Sequence, residues 1–168
     1  IIKNDISISA IPGIAGLNLT IYFAQHSKKL LIANKESIIC GWDILIKTIK
    51  KNKTKLIPID SEHFSLLKLL EISKKEDVKK IYITASGGPF FKSNIKLNKI
   101  KPYHALKHPK WSMGKKISVD SATMMNKIFE LVEAKKLFPF FEKKIGILIH
   151  PQSLVHAVIV YKNGLTNM

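Results

Sequence analysis

Asp60 and Glu62 stand two residues apart where the apolar run 56–59 gives way to a helix-like segment. Two carboxylates at that spacing and place can both face a cleft, and oxygen donors of this kind suit a hard divalent cation such as Mg²⁺ or Mn²⁺. A third oxygen is available from Glu130, on a helix-patterned stretch where Asn126, Lys127 and Glu130 share a face through i,i+4 and i,i+3 spacing. Plainer readings compete. Asp60 is also a good helix N-cap, acidic residues in a first turn suit the helix dipole, and Lys127–Glu130 has the spacing of an ordinary surface ion pair.

Further polar clusters fall where apolar runs end. Asn34-Lys35-Glu36-Ser37 follows residues 29–33, and Ser86-Gly87-Gly88 follows residues 80–84. In open α/β sheets the carboxyl ends of strands line the ligand crevice, so these clusters and Asp60-Ser61-Glu62 could converge on one site. Asn34 has the alternative of capping a helix. Ser86-Gly87-Gly88, and Ser121 read at a helix start, have the backbone freedom, hydroxyls and dipole that favour a phosphate, although Gly-Gly-Pro is also simply a turn. His108 and Trp111 fall in an irregular stretch, where an indole either closes over a ligand or packs onto the core. His150 and His156 flank Pro151-Gln152-Ser153 at a strand end, and one of them could reach the site.

The elements that must position these groups alternate. Residues 5–11 read as a strand, 12–16 as a small-residue turn, and a helix follows to about residue 25. After the strand at 29–33, residues 37–51 carry Ile38, Ile39, Trp42, Leu45, Ile46 and Ile49 at helical spacing. The strand at 56–59 leads to a helix with Phe64, Leu67 and Leu70 on one side, and 80–84 is a further strand. This order predicts a largely parallel α/β sheet. From 86 to 114 no period is sustained, as in a functional lid or an insert. Order resumes at 116–119, with a helix over about 122–137 and strands at 145–149 and 157–161.

Composition sets limits. The 168 residues are 46% hydrophobic, enough for one good core or parts of two adjoining domains. No apolar run is long enough to cross a membrane. Cys40 is the single cysteine, which excludes a disulfide framework and points to a reducing, intracellular compartment. The chain opens on Ile1 with neither a signal-peptide layout nor an initiator Met, as expected for an internal piece of a longer polypeptide. The net charge of +16 invites a basic nucleic-acid-binding domain, but every basic residue is lysine and none is arginine, the residue used for bidentate base contacts. The scattered lysines read as a solvated surface that can steer an anionic substrate inward.

Taken in order, the runs Ala33-Asn-Lys-Glu-Ser37, Asp60-Ser-Glu-His63, Ser86-Gly-Gly-Pro-Phe90, His108-Pro-Lys-Trp-Ser-Met-Gly114, Lys116-Ile-Ser-Val-Asp-Ser-Ala-Thr-Met-Met-Asn-Lys127 and Ile149-His-Pro-Gln-Ser153 resemble the 1-deoxy-D-xylulose 5-phosphate reductoisomerase family over nearly the whole chain. The resemblance implies an α/β fold in which the tail of a Rossmann-like parallel sheet (1–59) precedes an α+β catalytic domain (60–168) with a lid at about 86–114. It implies rearrangement of 1-deoxy-D-xylulose 5-phosphate and reduction by NADPH to 2-C-methyl-D-erythritol 4-phosphate, in the non-mevalonate route to isoprenoids, with Mn²⁺, Mg²⁺ or Co²⁺ as cofactor. By family position Asp60, Glu62 and Glu130 are the metal ligands, and Lys35 joins them as catalytic. Lys35, Ser61, Glu62, Ser86, His108, Trp111, Ser121, Asn126, Lys127 and Glu130 hold the substrate, with Trp111 on the lid, while Asn34, Glu36 and Gly114 touch NADPH. A homodimer is implied for the full-length protein, in the cytoplasm or a plastid-type organelle, with no nucleic-acid or membrane partner. The family's glycine-rich dinucleotide fingerprint and its helical C-terminal domain have no counterpart here, and Ile128-Phe129 stand where Gly-Leu is usual. An inactive remnant is the remaining alternative.

Overall fold

The computed structural model describes residues 3–106 and 114–168, in which strands and helices alternate from the start. The order is β1 (Asn4–Ser9), α1 (Gly16–His26), β2 (Ser27–Ile32), α2 (Lys35–Asn52), β3 (Lys55–Pro58), α3 (Ser61–Glu71), β4 (Val78–Ala85), α4 (Pro102–Ala105), α5 (Lys115–Ala122), α6 (Met125–Leu137), β5 (Ile145–Ile149), β6 (Ala157–Tyr161) and β7 (Thr166–Asn167). The strands form two sheets. One is wholly parallel, ordered β1-β2-β3, and the other is mixed, ordered β5-β4-β6-β7. In the second sheet β4 pairs parallel with β5 but antiparallel with β6, and β6 pairs antiparallel with β7. The expectation of a largely parallel sheet therefore holds for the first three strands and for the β4–β5 pair, and fails at β6 and β7. The short link from β6 to β7 allows only a hairpin, whereas a parallel return needs a crossover of a dozen or more residues.

Each sheet has its own core. Ala24, Leu30, Ile32, Ile38, Leu45 and Ile49 pack α1 and α2 onto the parallel sheet. Leu66, Val78, Ile81, Ala134, Phe141, Ile145, Ala157 and Ile159 pack α3 and α6 onto the mixed one. Trp42 and Leu137 lie against the first cluster, so the far end of α6 reaches across to α2. On α3 the inward face is His63 and Leu66, with Leu69 and Leu70 against the core. Phe64, expected to face inward, is 41% exposed. The buried face is rotated from the expected one because His63 takes a place that hydrophobicity assigned to Phe64.

The helix expected over about 122–137 starts three residues later, as α6, and the ordered run at 116–119 belongs to a separate helix, α5. α5 ends at Ala122, Met124 takes a left-handed conformation (φ 62°, ψ 5°), and α6 starts at Met125. Ser121 consequently lies in the last turn of α5 and not at a helix start, which corrects the helix-dipole argument for it. A Cβ on Gly88 would lie only 2.7 Å from the Ser121 carbonyl oxygen, and Gly88 itself has φ 69°. Only glycine meets both demands, so the Gly87-Gly88 turn is what seats the end of α5. Met124→Ile keeps the apolar bulk but adds a β-branch at positive φ. It is expected to cost about 1–2 kcal/mol, read as a lower urea midpoint, with Met124→Asn better tolerated.

Ile128 and Phe129 do not disturb α6. Ile128 is 44% exposed, and the Lys116 ammonium lies 5.4 Å from the Phe129 ring centroid. Among the described residues no helix is long and apolar enough to cross a membrane.

Candidate active site

Asp60 and Asn34 are both N-cap residues by position, yet only one of them caps. Asn34 Oδ1 accepts from the Ser37 N–H at 2.7 Å, and its amide donates to the carbonyls of Ile11 (2.5 Å) and Gly13 (2.9 Å). The side chain, 2% exposed, is spent on clasping the turn after β1 to the start of α2. Asp60 caps nothing and instead receives the Lys35 ammonium. The strand-end placement delivers both carboxylates of the Asp60–Glu62 pair to one place.

Glu130 reaches that place from α6. Single ligand atoms of Asp60, Glu62 and Glu130 lie within 4.8 Å of one another, a separation that one cation can span. Two lysines balance the three acids. Lys35 pairs with Asp60 and stands 3.6 Å from Glu130 Oε1. Lys127, 6% exposed, pairs with Glu130 and with Glu62 Oε1 at 2.6 Å. Lys127–Glu130 is thus a buried pair and not the surface pair its spacing allowed. Asn126 donates to Glu130 Oε1 at 2.5 Å, and Ser61 Oγ donates to Glu62 Oε2 at 2.6 Å.

Packing charges this closely moves their proton affinities. Burial pushes Glu130 up to about 7, with the Glu62 and Asp60 charges adding to it and Lys127 and Lys35 partly offsetting. Burial works most strongly against ionised Asp60, but the Lys35 ammonium, together with His63 and Glu62, outweighs it and holds the carboxyl below its usual range. For both lysines burial disfavours the charge and the neighbouring carboxylates override it. Lys35, beside Asp60 and Glu130, and Lys127, beside Glu130 and Glu62, are held above the ordinary lysine value. The donor set fits a divalent cation: hard oxygens, held in place by hydrogen bonds, with charge to spare.

Two clefts meet at this cluster. One, of about 560 Å³, is lined by Ser61, Glu62, Thr84, Ala85, Ser86, Gly87, Ile117, Ser121, Met124, Asn126, Lys127, Ser153 and His156. The other, of about 340 Å³, is lined by residues 10–12 and by Ala33, Asn34, Lys35, Glu36, Asp60, Lys116, Ile117, Asn126 and Glu130. The expected substrate residues Ser61, Glu62, Ser86, Ser121, Asn126 and Lys127 therefore share the larger cleft. Lys35, Asp60 and Glu130 face the smaller one with Asn34 and Glu36. Gly114 is at the N-terminal end of α5, outside both linings. His108 and Trp111 lie outside the described residues.

Sequence reasoning missed several contributors. Ser153 lines the larger cleft at φ 56°, and nothing in its type announces it. Of the two histidines left open, His156 lines the cleft, with Nδ1 3.8 Å from Glu62 Oε2, and His150 is spent on the Leu154 N–H. Lys116 bridges Glu36 (3.0 Å) and Asp120 (2.7 Å), tying α5 to the start of α2. Its signal, the i,i+4 spacing to Asp120, was present but common.

A 1-deoxy-D-xylulose 5-phosphate reductoisomerase family model matches residues 2–41, and the model of that enzyme's C-terminal domain matches residues 56–138. The 1-deoxy-D-xylulose 5-phosphate reductoisomerase of Pelagibacter ubique is 53% identical over 99% of this chain and 43% of its own length. That of Ruminiclostridium cellulolyticum is 45% identical over 95% of this chain and 42% of its own length. Among solved structures, a reductoisomerase in complex with NADPH, fosmidomycin and magnesium superposes with TM-score 0.85 at 42% identity, over 96% of this chain and 42% of that one. The Zymomonas mobilis enzyme in complex with NADPH gives 0.83 at 38% identity, over 97% and 42%. The chain spans about two fifths of the length of the relatives it matches. With both family models on the chain, and the fold shared with solved members, the chain belongs to the 1-deoxy-D-xylulose 5-phosphate reductoisomerase family.

Proposed function

We propose that this chain carries the cation and sugar-phosphate centre of an NADPH-dependent reductoisomerase that converts 1-deoxy-D-xylulose 5-phosphate to 2-C-methyl-D-erythritol 4-phosphate in isoprenoid synthesis. The observation that carries the proposal is the three-carboxylate, two-lysine cluster at the junction of two clefts, because this chemistry needs a cation-binding centre between a sugar site and a hydride donor. When bound, the divalent cation supplies Lewis acidity and a template for vicinal oxygens, and the nicotinamide supplies the hydride. Asp60, Glu62 and Glu130 would hold the cation. Lys35 brings positive charge to the place where a substrate hydroxyl loses its proton. Ser86, Ser121, Asn126 and Lys127 donate to the phosphate end in the larger cleft. Asn34 shapes the cofactor side through the turn it clasps, while Glu36 and Gly114 border that side. His108 and Trp111, outside the described residues, would complete the substrate site by family position. The longer protein acts as a homodimer in the cytoplasm or a plastid-type organelle, with a small phosphorylated sugar and no nucleic acid or membrane as partner.

The test supplies 1-deoxy-D-xylulose 5-phosphate, Mn²⁺ and NADPH to the full-length gene product and follows NADPH oxidation. Loss of NADPH that requires all three components is expected. No turnover, together with salt-dependent RNA or DNA binding, would transfer the assignment to the nucleic-acid reading.

A pH dependence follows from Glu130. Its carboxyl must give up a proton to become a cation ligand, and that proton is held up to about pH 7. Mn²⁺ affinity is therefore expected to rise by about tenfold per pH unit on the acid side of 7 and to flatten above it. Calorimetric titration over pH 5.5–8.5 reads it, with one proton released per cation on the acid side.

A further inference from the structure

His63 and Glu133 take no part in the centre described above, yet both are buried polar groups that face each other without a bond. His63 is 0% exposed and Glu133 2%. His63 Nε2 lies 2.9 Å from the Glu130 backbone carbonyl, which can only accept, so Nε2 carries the ring proton and Nδ1 keeps its lone pair. That lone pair points to Glu133 Oε2 at 3.9 Å, and neither atom has a hydrogen-bond partner. A carboxyl proton cannot close so long a gap. Two ligands of one transition metal, each about 2.1 Å from it, lie about 3.0–4.2 Å apart, and the observed separation falls inside that range. A carboxylate oxygen of Asp60 completes the group, the three ligand atoms lying within 4.8 Å of one another. An imidazole that donates its other ring N–H to a backbone carbonyl is the usual arrangement of a metal-bound histidine.

We propose that Asp60, His63 and Glu133 form a second cation position, directly behind the Asp60–Glu62–Glu130 cage and sharing Asp60 with it, that takes an imidazole-preferring transition metal such as Co²⁺ or Zn²⁺ in preference to Mg²⁺. The preference comes from the donor set. The first cage offers only carboxylate oxygens, which serve Mg²⁺ and Mn²⁺, whereas a neutral imidazole nitrogen favours metals later in the row. Glu133 lies one helical turn beyond Glu130 on α6, so a single helix face supplies a ligand to each position. The second position does not depend on the catalytic reading of the first.

The test titrates the intact chain with Co²⁺ in excess Mg²⁺, followed by visible absorption and proton NMR. One Co²⁺ is expected to stay bound against Mg²⁺, with the exchangeable His63 ring N–H shifted far outside the ordinary spectrum. Glu133→Gln, which keeps the side chain's size, is expected to weaken this retained Co²⁺ by at least about tenfold. Glu62→Gln removes a donor of the first cage alone and leaves the signal in place. Displacement of all Co²⁺ by Mg²⁺ overturns the proposal, as does absence of a shifted ring N–H in the unmodified chain. Retained Co²⁺ that responds to Glu62→Gln but not to Glu133→Gln also overturns it, while leaving the first cage standing.

Discussion

Glu130→Gln is expected to weaken Mn²⁺ binding by about a hundredfold or more, since even partners outside the coordination sphere change metal affinity by ten- to a hundredfold. Gln keeps the length of the side chain and an oxygen for the Asn126 amide, so α6 has no reason to move. What disappears is one negative charge of three. The two remaining carboxylates, Asp60 and Glu62, are then neutralised by Lys35 and Lys127, and an entering cation meets a cluster with no charge to spare. Calorimetric titration of the chain reads the affinity, and far-ultraviolet circular dichroism verifies the fold. In the full-length protein the same change should remove NADPH oxidation at Mn²⁺ concentrations that saturate the parent. Unchanged Mn²⁺ affinity would show that Glu130 is no ligand.

Lys127→Met is the second large effect, and it acts on stability. Lys127 is buried and bonded to Glu62 and Glu130, so its removal leaves two carboxylates facing each other in a poorly solvated place. Breaking a buried pair from one side costs about 3–5 kcal/mol, measured as a drop in the urea midpoint. Glu130, already raised to about 7, would rise further without its lysine. A carboxyl whose folded pKa lies above its unfolded value binds protons more tightly in the folded state, so it destabilises increasingly as pH rises between the two values. The deficit in Lys127→Met should therefore be largest above pH 7 and shrink toward pH 5. Millimolar Mn²⁺ should recover more stability in the variant than in the parent, since it replaces the missing positive charge.

The parallel sheet, its helices and the pairing of Asp60 with Glu62 were legible because each rests on a local rule, whereas spacing left Glu130 open and only the family resemblance joined it to them. Strand ends place ligands, and i,i+4 spacing puts Asn126 beside Glu130. The break between α5 and α6 was read a few residues early, and the left-handed turn at Met124 was not legible. Ser-Ala-Thr-Met-Met contains neither glycine nor proline, and the positive φ follows from seating the end of α5 over Gly88, a contact between residues far apart in the chain. The inward face of α3 was misplaced for a related reason. His63 is polar by type, and only its bond to the Glu130 carbonyl makes it a core residue. In β1 the alternation announced a strand, but its serines point inward: Ser7 bonds to Ser27 and Ser9 to Thr20, while Ile6 and Ile8 are more than half exposed. Periodicity names the two faces of a strand without saying which one the fold covers.

The elbow between α5 and α6 joins two sets of cleft-lining side chains through Thr123 and Met124 alone. Ser121 stands on one arm of a lever, Asn126, Lys127 and Glu130 on the other, and the torsion of Met124 sets the angle between them. On the function proposed above, a change at that fulcrum would alter the hold on a phosphate group and the placing of a cation ligand at once, so the two affinities should vary together across substitutions there.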